Sequence, residues 1–133
     1  MAVQLSVAVR NARLDAIETT IGATAVLKIR SGSVPADCAT ADAGTVLATL
    51  TLPSDWMAAA SAGSKAKSGT WQDTSADATG TAAHFRIYDS GGTVCGLQGT
   101  VGVGSGDLQV DSTSFTSGQS FSITGFTLTD ANA

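Results

Sequence analysis

Histidine occurs once in this chain, tyrosine once, cysteine and tryptophan twice each, and charged residues make up only 14%. Each scarcity excludes something. With one His and no CxxC or HxxxH spacing, the usual zinc ligand sets cannot be assembled. The single His84 lies between Ala83 and Phe85, and the nearest acids in sequence, Asp77 and Asp89, fall in loops. A general base needs an orienting carboxylate and a nearby nucleophile, and the sequence offers His84 neither, so it reads as an exposed or interface side chain. Seven basic residues, spread from Arg10 to Arg86 in a chain of net charge −4, make no patch for neutralising phosphates. Nucleic acid is therefore not an expected partner. No apolar run approaches a membrane span. The opening Met1-Ala2-Val3-Gln4-Leu5-Ser6 is soon followed by Arg10 and Arg13, which is not the pattern of a secretory signal. The expectation is synthesis in the cytoplasm, with any release by another route such as cell lysis. Aromatics are 5% against 43% hydrophobic residues overall, many of them Ala. A core of small and β-branched side chains gains little from burial, at about 25 cal/mol per Å² of apolar area, and a partner surface could add to it.

What is present is the chemistry of strands and tight turns. From about residue 25 onward, short runs of Val, Leu, Ile, Phe and Thr alternate with Gly, Ser, Asp and Ala. The one helix expected covers residues 5–20, with Ser6 as N-cap and Gly22 in the C-terminal glycine position. Leu5, Val9, Ala12 and Ala16 share one of its faces, and Val7, Leu14, Ile17 and Ile21 a second. Such a helix either caps the sheet or turns one side to a neighbour. Strands are expected at 25–30, with Lys28 and Arg30 outward, and at 45–52, ended by Pro53. Residues 57–64 are ambiguous, 65–71 alternate again, and 72–79 read as a polar loop. The clearest hairpin joins 81–88 to 93–101 through Asp89-Ser90-Gly91-Gly92. Residues 102–107 form a flexible tip, 108–110 a short strand, and 120–129 a last strand. In that last strand a bulge at Gly125 would bring Phe121, Ile123, Phe126 and Leu128 to one face. Six to eight strands at this spacing predict one domain over 1–133, mainly β. The expected form is an antiparallel two-sheet sandwich, jelly-roll-like, with one N-terminal helix.

The motifs tested for chemistry read as structure. Ser64-Lys65-Ala66-Lys67 has the Ser-x-x-Lys spacing of some acyl-transfer enzymes but sits among Ala, Gly and Ser with no companion motif. Gly102-Val103-Gly104-Ser105-Gly106 lacks the Lys-Ser/Thr and helix of a phosphate loop. Asp37 with Asp42, and Asp107 with Asp111, lack the dense pattern of a calcium loop. No catalytic, metal or cofactor site is expected. Cys38 and Cys95 are either two thiols in or near a reduced core or a disulfide closing a loop of about 57 residues. Trp56 and Trp71 are either core anchors or partner contacts. Lys28, Arg30, Lys65 and Lys67 are the basic edges that could meet an acidic partner.

Several stretches read together carry a family resemblance. They are the opening from Leu5 to Ala16, Leu27-Lys28-Ile29-Arg30-Ser31-Gly32 on to Pro35-Ala36-Asp37-Cys38, and Gly44-Thr45-Val46-Leu47-Ala48-Thr49-Leu50. With them go Phe85-Arg86-Ile87-Tyr88-Asp89-Ser90-Gly91-Gly92 and Phe126-Thr127-Leu128-Thr129. The whole chain resembles a family of small tailed-bacteriophage virion structural proteins, mostly uncharacterised. The resemblance implies a non-enzymatic virion component made in the host cytoplasm. The leading expectation is a capsid decoration or cement protein bound in a symmetric array to the major capsid protein. The alternatives are a tail or head–tail junction protein, contacting other virion proteins, and a module that grips host-surface carbohydrate through Trp56, Trp71 or Tyr88.

Overall fold

The computed structural model describes residues 3–130. The helix α1 runs Val7–Ile21. Ser6 caps it, its hydroxyl accepting from the Val9 amide at 3.2 Å, and Gly22 ends it at φ 99°, a left-handed value that a side chain would resist. Strands β1 (Val26–Arg30) and β2 (Val46–Thr51) follow. Then come the short β3 (Ser64–Ala66), β4 (Gln72–Asp73) and β5 (Gly80–Thr81). The hairpin arms are β6 (His84–Tyr88) and β7 (Cys95–Gly102), and β8 (Leu108–Val110), β9 (Ser114–Phe115) and β10 (Phe121–Thr129) complete the chain.

The main sheet has the order β2-β1-β6-β7-β8-β10-β3, with β4 also paired to β10, while β5 and β9 form a separate pair. The fold is mainly β with one helix, as the sequence predicts, but the sheet is mixed. β7 and β8 pair in parallel, Val101 opposite Leu108 and Gly102 opposite Gln109. Parallel neighbours normally need a long crossover. Here the chain doubles back within 103–107 through Gly104 (φ 66°) and Gly106 (φ 80°). The Asp107 carboxylate holds the excursion shut, accepting from the Thr100 amide at 2.9 Å and its hydroxyl at 3.0 Å. The stretch expected to be a flexible tip is therefore a pinned return.

The sheet curls on itself. Phe85 of β6 and Phe126 of β10 stand three places apart in strand order, yet their rings meet edge to face at 5.6 Å. The segment after β4 closes the curl, because the Asp77 amide donates to the Leu47 carbonyl of β2 at 2.8 Å. Inside lies one apolar cluster, including Leu27, Ile29, Leu47, Leu50, Phe85, Ile87, Leu108 and Phe126. Trp71 sits in it between Trp56, at 6.1 Å between ring centres, and Phe126, at 5.6 Å. The expected irregularity in β10 is present, its register against β8 shifting between Ile123 and Gly125.

The helix corrects a simpler expectation. Of its residues only Leu14 is buried. It docks by a mostly polar side, and the face of Val9, Ala12 and Ala16 points to solvent, with Val9 46% exposed.

Candidate functional site

Two clusters of charge, both under cover, are the chemically richest places in the molecule. The first lies on the outer face of β1, β6 and β7. Strand alternation puts Lys28, Arg30, His84, Arg86, Tyr88 and Gln98 on that face, in direct cross-strand register: Lys28 opposite Arg86, Arg30 opposite His84, Arg86 opposite Gln98. The loop 31–45 folds over them. Arg86, only 2% exposed, donates from Nη1 to Asp42 at 2.8 Å and from Nη2 to the Asp37 and Thr40 carbonyls at 2.9 Å each. Its Nε donates to Gln98 Oε1 at 3.0 Å. The Gln98 amide in turn donates to the Pro35 carbonyl at 2.7 Å. Arg30 reaches Asp42 Oδ2 at 3.0 Å, and the Tyr88 hydroxyl donates to Asp42 Oδ1 at 2.6 Å. The Lys28 ammonium lies 5.2 Å over the Tyr88 ring. Cys38, in the middle of the loop, is joined to Cys95 of β7 by a disulfide.

This environment sets the protonation of its members. The Tyr88 hydroxyl, then the two guanidinium groups, hold the Asp42 carboxyl below its ordinary value of 3.8 against the opposing pull of desolvation. The Thr40 hydroxyl and amide do the same for Asp37. Burial, then the bond to Asp42, pushes Tyr88 up from 10.0.

The second cluster lies under α1. Asn11, Asp15 and Glu18 share a helix face and turn it inward over the segment 56–66. Lys65, 2% exposed, donates from Nζ to Asp15 Oδ1 at 2.7 Å and to the Ala58 carbonyl at 2.9 Å, with Glu18 Oε1 at 3.5 Å. Asp15 also accepts the Ala60 amide at 3.0 Å, and Asn11 accepts the Gly63 amide at 2.9 Å. The bond from Lys65, then that from Ala60, lowers the Asp15 pKa below 3.8. At the helix end the Trp56 indole N–H donates to the Gly22 carbonyl at 3.0 Å.

The structure redistributes the residues singled out from sequence. Arg30, Lys65, Trp56 and Trp71 are buried and cannot meet a partner in this fold, because the two cations are tied down by Asp42 and by Asp15 with Glu18 and the two indoles fill the core. Lys28 and Lys67 remain half-buried, Lys67 lying 5.9 Å over Trp71. His84 is fully buried rather than exposed. Its Nδ1 lies 2.7 Å from the Gly32 carbonyl, so that nitrogen carries the proton. The lysine of the Ser-x-x-Lys spacing, Lys67, donates from Nζ to the Gly69 carbonyl at 3.0 Å and lies over the Trp71 ring, so it is engaged there rather than with the Ser64 hydroxyl. Asp37 and Asp42 are held by Thr40 and the guanidinium groups, and among the described residues no three His, Cys, Asp or Glu side chains are grouped to hold a metal. No helix among the described residues is long and apolar enough to cross a membrane. With Trp56, Trp71 and Tyr88 all at 1% exposure or less, the aromatic platform expected of a carbohydrate-gripping module does not form.

Sequence reasoning missed both clusters. The signal available was the recurrence of basic residues at alternate positions of two strands (Lys28 and Arg30, His84 and Arg86), denser than contact with solvent alone requires. Beside the first cluster runs an open cleft of about 460 Å³ between α1 and the start of β7, walled by Ile17, Ile21, Val94, Cys95 and Gly96. Set against protein-family models, curated proteins and solved structures, the chain matches none.

Proposed function

We propose that this chain is a non-enzymatic structural component of a tailed-bacteriophage virion, working as a decoration protein on the outer face of the head shell. The observation that carries the reading is where the reactive side chains go. His84, Lys65, Arg30 and Arg86, the groups best suited to chemistry or anion binding, all serve to brace the inside of the domain. A small domain so heavily cross-braced suits a part that must hold its shape on a particle. The resemblance in the opening helix and in the strand segments around Lys28 and Arg86 supports the same reading. In it, the curled sheet is a sandwich of jelly-roll type, β2-β1-β6-β7 facing β8-β10-β3 across the Phe85–Phe126 contact. The work done is binding free energy. Many copies in a symmetric array each add a modest interface with the major capsid protein, and avidity multiplies it.

The test is the copy number of the protein in purified particles, by quantitative mass spectrometry against the major capsid protein. About one copy per capsid subunit, or a simple fraction of that, is the expected result. About a dozen copies or fewer would place the protein at the neck or tail instead. Absence from particles would overturn the virion reading.

A further inference from the structure

We propose that the loop 31–45 is seated on the sheet by the Arg30–Arg86–Asp42 cluster independently of the Cys38–Cys95 bond, and that the bond is a lock acquired afterwards by exchange with a small disulfide. This inference does not depend on the virion reading. Cys38 is bracketed by anchors on both sides. Pro35 and Asp37 give their carbonyls to Gln98 and Arg86 before it, Thr40 gives its carbonyl to Arg86 after it, and Asp42 binds both guanidinium groups and Tyr88. Every donor in that set sits on β1, β6 or β7, whose register the sheet fixes without any cystine. The loop ends are tied as well. The Ser31 amide donates to the Thr45 carbonyl at 3.1 Å and the Thr45 amide to Ser31 Oγ at 3.0 Å. Seating the loop therefore brings Cys38 to Cys95, their Cα atoms 5.3 Å apart, whether or not the sulfurs are bonded.

A reagent can reach the pair. Both cysteines are half-buried, and Cys95 forms part of the wall of the open cleft beside α1. The oxidant belongs to the class of low-molecular-weight disulfides, of which oxidised glutathione is the probe. One cysteine thiolate attacks a reagent sulfur and expels a small thiolate, leaving a mixed disulfide. The other cysteine loses its proton and attacks the protein sulfur, which breaks the mixed bond and expels the second small thiolate. Two protein thiols are oxidised by two electrons, and one reagent disulfide is reduced to two thiols. A chain folded under reducing conditions would thus already hold its loop shut and gain the lock when it meets an oxidising medium.

The experiment compares the full chain oxidised, reduced by a phosphine, and carrying Cys38→Ser with Cys95→Ser. The readouts are the Gln98 side-chain amide and Arg86 Nε–H resonances, which report the anchors directly, and amide exchange at Ser31 and Thr45. The expected result is that the anchor resonances stay in place in all three states, with loop exchange within about threefold. A second arm reduces the Asp42→Asn and Gln98→Ala chains and times reoxidation by oxidised glutathione. Loosening the seat lowers the effective concentration of one thiol at the other, so reoxidation should slow about tenfold or more in Asp42→Asn and less in Gln98→Ala. The Gln98 change removes two rim bonds only and keeps the arm informative if Asp42→Asn misfolds. Loss of the anchor resonances on reduction, with β6 and β10 amides still protected, would overturn the proposal. So would unfolding of the whole chain without the bond, or reoxidation of both variants at the unaltered rate.

Discussion

Replacing Lys65 by Met tests how α1 is held. The ammonium is 2% exposed and makes bonds to Asp15 and the Ala58 carbonyl, with Glu18 alongside. Methionine fills most of the volume but donates nothing. Asp15, 46% exposed, regains water and is assigned no part of the cost. The Ala58 carbonyl is left without that donor, at about 1–3 kcal/mol. Glu18, 20% exposed, keeps the Met57 amide but loses its counter-charge in a mostly dry site. Against these stands relief from holding an ammonium out of water. The net expected loss is about 2–3 kcal/mol, which in urea lowers the midpoint by about 1 M or more at unchanged slope. Adding Glu18→Gln should return a large part of it, because a neutral amide no longer needs the ammonium. Urea unfolding followed by tryptophan fluorescence reads both effects, since Trp56 bonds the helix C-terminus through Gly22. A Lys65→Met chain within about 0.5 kcal/mol of the parent would refute the reasoning. A Glu18→Gln change that makes Lys65→Met worse would refute it equally.

Trp71→Ala removes the ring between Trp56 and Phe126 and should cost about 3–5 kcal/mol, read as a fall in thermal midpoint; a loss below about 1 kcal/mol would mean the ring is not the core anchor described. Gly96→Ala drives a methyl into the Ile21 side chain and should loosen the end of α1, with Ile21→Ala largely restoring stability in the double variant; simple additivity of the two losses would count against the contact. The depressed Asp42 carboxyl contributes stability that is complete above its unfolded value of 3.8 and is lost as pH falls through its lower folded value. The Gln98 side-chain amide resonance should accordingly hold from neutral pH down to 3.8 and shift only below it, with the step attributable to Asp42 absent from Asp42→Asn. A shift beginning well above 3.8 would contradict the assigned bonds.

Where local chemistry decides an element, the sequence is legible. Ser6 and Gly22 bound the helix because one supplies an acceptor and the other a left-handed turn. Asp89 and the glycines after it make the hairpin, with Gly92 at φ 72°. The break at Gly125 follows from the parity of Phe121, Ile123 and Phe126. Where a distant segment decides, the local pattern misleads. Arg30, Arg86 and His84 alternate like solvent-facing residues, and only the loop 31–45, folded over them, makes them interior. Lys65 looks like an edge cation until Asp15 and Glu18 arrive from a helix some fifty residues away. The parallel pairing of β8 is hidden for a related reason, since glycines at 104 and 106 permit a tip and a return equally, and the Asp107–Thr100 bonds choose the return. The helix is the reverse of the ordinary amphipathic rule, because polar side chains can dock a helix when the surface beneath offers amides and an ammonium in matching places.

Arg10 and Arg13, on the first turns of α1, both bond Asp130, just beyond β10, at 3.1 Å and 3.2 Å. The start of α1 and the residue that follows β10 are therefore side by side, and a pull applied across these two points would load the arginine contacts before the sheet. The tension would fall on a pair of arginine contacts and then peel a helix held by hydrogen bonds, the Lys65 ion pairs and one buried leucine, while the curled sheet and its cystine stayed slack. Mechanically, that juxtaposition makes α1 a release catch: tension across the Arg10–Asp130 contact would lift the helix off while the β-structure behind it kept its shape.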